Sequence, residues 1–375
     1  MSRTTDPATN AVSPQSAAPT GLPVVVGGTI AIDHVKTPDD EAEGLLGGSA
    51  SYAALAASYF TAPVHLVGIV GADFPPEHLE MLEKHGISLA GVERSPGESF
   101  SWSGEYHENM NERTTHRVAV NVLENWHVKI PQAAADAPIV LLANMAPENQ
   151  LEMLSQCTNP GRFVISDTMD LWIDIARPRL LDVLKEVDLF VLNDSEARTL
   201  AETTNLLEAA ERLLALGPRF LVIKLGEHGA MLVGKENPAQ KGEENPAQNP
   251  TQFKDVSVFE NIDAEPPNLF RTPAFPLRRL VDPTGAGDSF LGAMAGFIAR
   301  SLAESSKNPE NAPAADDAQP AEIQPVAFDL LRRAVVRGTI AASFTCEAFS
   351  TRQLENLPAE SFASRLDAFH HFSRW

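Results

Sequence analysis

Between residues 23 and 224 the chain repeatedly returns to short, almost wholly apolar runs. They fall at 23–28, 64–70, 139–143, 162–166, 188–192 and 220–224. Each is too short for a buried helix and lacks the polar alternation of a half-exposed strand, so each reads as a strand buried on both faces. Helical patterns separate them, at 76–85 and 148–156, with long helices after Gly287 and after Pro325. Such alternation predicts an α/β fold with a mostly parallel central sheet covered by helices on both sides.

Three kinds of segment depart from this rhythm. Residues 100–121 alternate polar and apolar side chains, with aromatics Phe100, Trp102 and Tyr106 and cations Arg113 and Arg117. They read as antiparallel strands outside the main sheet, to which residues 30–46 could add. A small sheet of this kind, from about 30–46 and 99–121, suits a lid over a site at the strand ends. Residues 235–268 and 303–324 are low in complexity, with ENPAQ at 236–240 and again at 244–248, and read as loop insertions. Residues 1–22, rich in Ala, Ser, Thr and Pro, read as a disordered tail. One domain over 23–375 remains.

Net charge narrows the partners. The chain of 375 residues carries 29 Lys and Arg against 50 Asp and Glu, a formal charge of −21. This argues against nucleic acid and anionic membranes, both of which are gripped by cations. About nine of the excess negative charges fall in the two insertions. A small phosphate ligand stays compatible, because oriented amides and one or two local cations suffice. Cys157 and Cys346 lie far apart without metal-type spacing and read as reduced core thiols. The first twenty residues hold no apolar h-region, and no apolar run approaches a membrane span. The expectation is a cytoplasmic protein. None of the ten histidines has metal-ligand spacing, and His370-His371 reads as part of a terminal tail.

The sharpest local signal is Asp282-Pro283-Thr284-Gly285-Ala286-Gly287-Asp288-Ser289-Phe290, running into an apolar helix over 291–300. Glycines ahead of a helix let backbone N–H groups converge on one point, where the helix dipole adds positive character. That makes a hole for phosphate oxygens, with Asp288 on its rim able to take a proton from a hydroxyl. A plain capped helix start is the alternative reading.

The complete string resembles the C-terminal signature of the ribokinase-like (PfkB) carbohydrate kinase family. Three further motifs follow the family's order. Gly47-Gly48-Ser49-Ala50-Ser51-Tyr52-Ala53 is similar to its di-glycine signature, with Gly71-Ala72-Asp73-Phe74 after it. Asn193-Asp194-Ser195-Glu196 is similar to its Asn-x-x-Glu motif, and Lys224-Leu225-Gly226-Glu227-His228-Gly229-Ala230 to its strand–turn–strand segment near the nucleotide. The resemblance covers most of 23–350. It implies a three-layer α/β/α sandwich with a small β lid, and ATP-dependent phosphorylation of a hydroxyl on a sugar, polyol or nucleoside.

Roles follow position by position from the resemblance. Asp288 is the implied base, and Gly285, Ala286 and Gly287 the anion hole. Asn193 and Glu196 organise Mg²⁺ and phosphates largely through water; a plain strand-to-helix turn with Asn193 and Asp194 as cap residues is the alternative reading. Lys224, Gly226 and Gly229 lie on the ATP side, Lys224 reading equally as a solvated strand end. Asp282 and Thr284 match a monovalent-cation site for K⁺. Asp33, Gly47 and Gly48 face the acceptor. Here the chain departs from the ribokinase pattern GGKGAN, having Ser49, Ala50, Ser51 and Tyr52, so ribose does not follow. Arg113 and Arg117 could clamp an anion or be solvated, and Trp172 could approach the acceptor or be core. Family members often dimerise through the lid, and Phe100, Trp102 and Tyr106 permit a homodimer here. No G-x-x-x-x-G-K-[ST] and no G-x-G-x-x-G after the first strand is present, which disfavours P-loop kinases and dinucleotide enzymes. A nucleoside kinase of the same family and a non-catalytic binding module stay open.

Overall fold

The computed structural model describes residues 20–235, 268–307 and 325–373. The ENPAQ repeat and most of both insertions lie outside the described residues. The main sheet has nine strands: β1 (Val24–Gly27), β4 (Val64–Val70), β5 (Ile87–Arg94), β8 (Ile139–Leu142), β9 (Phe163–Asp167), β10 (Leu189–Asn193), β11 (Phe220–Lys224), β12 (Ala230–Gly234) and β13 (Leu269–Thr272). Their order is β13-β12-β11-β10-β9-β8-β1-β4-β5. From β5 to β11 all neighbours are parallel, and β12 and β13 complete one edge antiparallel.

Alternate residues of the central strands serve the two faces, which is why their sequences are apolar throughout. Val24 and Val26 join a core with helices Ser49–Ser58, Ala286–Ser306 and Phe328–Thr345. Val25 joins the opposite core, with helices Pro147–Gln156, Arg177–Leu184, Asp194–Ala201 and Leu206–Ala215. The fold is a three-layer α/β sandwich. Strands β5 and β13 escape the apolar-run criterion because they sit at the sheet edges and are only half buried.

A second sheet of four strands stands apart, in the order β3-β2-β6-β7. It comprises β2 (Ala31–Lys36), β3 (Glu41–Gly47), β6 (Ser101–Tyr106) and β7 (Arg113–Ala119). Pairing is antiparallel except between β2 and β6.

Four sequence expectations need correction. Order begins before Pro23, because Leu22 N–H donates to Ala299 (3.3 Å) and its carbonyl accepts from Thr61 Oγ1 (2.7 Å). The helix from Ala286 continues past Arg300 to Ser306, since Leu302 and Ala303 are still buried. His370-His371 is not a loose tail but lies in a helix, Ala359–Ser373, that packs Phe369 into the core. The aromatics of β6 do not form a free strip. Tyr106 is 7% exposed and points inward with Val35, Leu45 and Phe349, while the Trp102 ring covers Gly104. Tyr106 is therefore closed to a partner chain.

Cys157 and Cys346 are both free thiols. Among the described residues no helix is long and apolar enough to cross a membrane.

Candidate active site

Two helices that start with glycine turns bring the site together. Gly292 and Gly296 of helix Ala286–Ser306 meet the backbone of Ala53 and Ala57 on helix Ser49–Ser58 so closely that a Cβ at either glycine would overlap it. Small residues four apart on both helices thus allow near backbone contact. The N-terminal turns meet the C-terminal ends of parallel strands: Gly48 packs against Thr29, just past β1, Gly287 lies under Lys224 at the end of β11, and Gly285 packs against Tyr52 of the other helix. In open α/β sheets this is where ligands bind.

At the first turn, Asp33 extends from β2 over Gly47, where a Cβ would overlap its carboxyl. Asp33 is 5% exposed. Burial, with further repulsion from Asp282 and Asp288, pushes its pKa up to about 8. The turn beside it is fixed by Ser49, whose N–H donates to Thr29 Oγ1 (3.0 Å) and whose hydroxyl donates to the Asn144 carbonyl (3.0 Å). Trp172 is tied to the same point, its indole N–H donating to Asn144 Oδ1 (2.8 Å). It is a half-buried brace rather than plain core.

At the second turn, Gly285 has φ +75°, and a Cβ there would run into the Tyr52 ring. Gly285→Ala meets both a left-handed backbone and an overpacked contact. It is expected to lose about 2–4 kcal/mol, read as a lowered midpoint in thermal or urea unfolding. Lys224 ends β11 opposite Asn193, the last residue of β10. Its ammonium lies over the turn, 2.9 Å from where a Cβ on Gly287 would stand. It also lies 3.9 Å from Asp167 Oδ2. Lys224 is thus largely enclosed beside Asp167 and is not a solvated strand end.

Burial pushes the Asp288 carboxyl up, and the charges of Lys224 and Arg113 pull it back. Asp167 is driven well above the carboxylate range by burial, with Lys224 opposing and Asp288 and Glu196 adding to the shift. Asn193 and Glu196 form a reciprocal capping box, each side chain accepting from the other's backbone N–H at 2.8 Å. The box engages Oε2 of Glu196. Burial raises the Glu196 pKa and Lys224 opposes it. Gly226 and Gly229 bound the next turn, and Asn111 at the tip of the β6–β7 hairpin lies 3.8 Å from a Cβ position on Gly226.

Asp282 is fully buried. Its carboxylate accepts from the N–H groups of Thr284 (2.9 Å) and Ser350 (3.4 Å). The Thr284 side chain bonds it as well, and a buried carboxylate whose partners are all neutral is chemically suited to a monovalent cation. Among the described residues no cluster of three or more His, Cys, Asp or Glu could hold a metal by itself. A few isolated carboxylates suit an ion such as Mg²⁺ that keeps most of its water. Arg113 comes close enough to act on Asp288, Glu196 and Tyr106, whereas Arg117 is exposed further along β7, opposite Ser103.

Sequence reading missed Asp167 and Tyr52. Asp167 is 3% exposed, and its Oδ1 and the neighbouring Thr168 hydroxyl find no hydrogen-bond partner among the described residues. Its place at the C-terminal end of a buried strand was the available signal. Tyr52 is buried with its hydroxyl at Ser350 and the charges of Asp33, Asp282 and Asp288 around it.

A family model described as pfkB family carbohydrate kinase matches residues 24–257. The chain belongs to the pfkB family of carbohydrate kinases. A cytidine kinase of Thermococcus kodakarensis is 27% identical over 283 residues, covering 74% of this chain and 88% of that protein. Among solved structures, ribokinase from Giardia lamblia matches at TM-score 0.68 and 18% identity, covering 93% of this chain and all of that one. Burkholderia thailandensis nucleoside kinase, solved with inosine, matches at 0.66 and 17%, covering 94% of this chain and 100% of that chain. Arabidopsis thaliana ribokinase, solved with ribose and ATP, matches at 0.62 and 17%, covering 92% and 99%. These likenesses identify the ribokinase fold.

Proposed function

We propose that this pfkB-family protein is an ATP-dependent kinase that phosphorylates a hydroxyl of a sugar or sugar-like small molecule, with Asp288 as the base. The observation that carries this reading is one juxtaposition. Asp288 stands on a glycine turn at a helix N-terminus, with the Lys224 ammonium over the turn and Asp33 close enough to feel its charge. Phosphoryl transfer asks for little covalent chemistry from a protein, so positioning and charge neutralisation carry the rate. The amides of 285–287 and Lys224 supply positive character where phosphate oxygens would gather. Asp288 would accept the hydroxyl proton, and Asp33 would hold the acceptor by its other hydroxyls.

Glu196 and Asn193 would organise Mg²⁺ through water, with Glu196 Oε1 outside the capping box. Mg²⁺ would neutralise phosphate charge. Asp282 and Thr284 would hold K⁺ beneath the turn. The cytidine kinase relative favours one variant of this reading, in which the hydroxyl belongs to the ribose of a nucleoside.

The test is ADP release by the purified full chain with ATP and Mg²⁺, screened over sugars, polyols and nucleosides including cytidine. At least one acceptor is expected to stimulate release well above the acceptor-free rate. No stimulation by any class would leave only the binding-module reading.

A further inference from the structure

Among the described residues, one side-chain hydrogen bond joins the lid sheet to the 284–287 turn. Thr284 Oγ1 donates to the Tyr106 hydroxyl oxygen at 3.2 Å, across 178 residues of sequence. Thr284 opens the 284–287 turn, and its own N–H donates to Asp282. Tyr106 ends β6, and its register partner across the hairpin is Arg113, whose guanidinium stands beside the same hydroxyl.

The apolar surroundings point the same way. Tyr106 packs with Val35 and Leu45 of the lid, against Phe349 and Val281 of the main domain. Those two residues flank the segments that enclose Asp282. Val281 precedes it, and both Val281 and Asp282 donate to the Cys346 carbonyl. Phe349 precedes Ser350, whose N–H donates to Asp282.

We propose that Tyr106 is a positioning residue that fastens the lid to the 282–288 segment, so that seating the hairpin and ordering the anion turn are one event. The inference rests on the kinase reading for what the turn does, though not for the contact. A tie of this kind makes the turn fully assembled only when the lid is down, which limits phosphoryl transfer to water. By linkage it is reciprocal: what loosens the lid loosens the turn, and the converse.

The test uses the full chain without ligand, comparing amide hydrogen exchange over 101–119 and 282–290. Tyr106→Phe keeps the ring in its apolar cluster and removes only the hydroxyl. It is expected to speed exchange about 3- to 10-fold in both segments, the range for one net hydrogen bond. Thr284→Val should do the same from the other side, loosening the lid, and Thr284→Ser should restore the wild-type pattern. The double variant should speed exchange by less than the two single effects combined, because the shared bond is lost only once. Loosening confined to the mutated segment in either variant overturns the proposal, as does simple additivity. If the acceptor screen finds nothing, the kinase reading falls while exchange still decides this one. If an acceptor is found but exchange stays local, only the tie is lost.

Discussion

Asp288→Asn is expected to lower kcat by about 10²- to 10⁴-fold, the range for loss of a positioned general base, with ATP affinity near wild type. The amide keeps the size of the side chain and the turn beneath it, so nucleotide contacts made by the backbone should persist. Calorimetric ATP binding beside steady-state rates on the acceptor found by the screen checks both halves. Retained turnover in the variant would remove Asp288 from the mechanism.

The pH profile carries a second, signed consequence. As the proposed base, Asp288 would work only when ionised, so kcat should fall as pH drops through its pKa. Burial raises that pKa from its ordinary value, while Lys224 and Arg113 lower it. Lys224→Met should therefore move the acid limb of kcat to higher pH. A limb that moved down, or stayed in place, would show that the ammonium seen over Gly287 does not act on the base.

How much of this was legible beforehand depends on the range of the interaction. The parallel sheet was legible because each central strand is buried on both faces and must be apolar along its whole length, as Val24–Gly27 is. The edge strand β5 was not, because its half-exposed face allows Glu93 and Arg94. The 282–288 turn was legible because its chemistry is local: glycines, a helix start and a carboxylate in one string. At 193–196 the helix start with Asn193 as a cap residue was legible, but Glu196 rather than Asp194 closes the capping box. Lys224 remained ambiguous in sequence because only the pairing of β10 with β11 sets it beside Asn193. Asp167 was missed because its partners Lys224, Asp288 and Glu196 arrive from three other elements. The aromatics of the lid were misread because period-two alternation gives two faces without saying which one the main domain covers.

Asp33→Asn should move stability and acceptor binding in opposite directions. Asp33 has a folded pKa of about 8 against an ordinary value of 3.8, raised by burial first and by Asp282 and Asp288 second. A raised carboxyl is more protonated in the folded than in the unfolded chain. Its stabilising contribution is complete below about pH 3.8 and is lost progressively as pH rises through about 8. Asparagine never ionises, so the variant is spared this loss. Its melting temperature should match wild type near pH 4 and exceed it by roughly 5 °C at pH 8.5, a gap that opens between those limits. Acceptor KM should rise about 10- to 100-fold, as expected when hydrogen bonds to a charged group are lost. Since the ionised form is the stronger acceptor of hydroxyl hydrogen bonds, wild-type kcat/KM for the acceptor should climb toward pH 8, and the variant should lose that climb. Melting curves across pH and acceptor kinetics at pH 6 and 8.5 read all three. A variant less stable than wild type at high pH would mean that Asp33 supports the fold. One more stable yet poor at binding would mark a carboxylate kept in a costly place for its ligand.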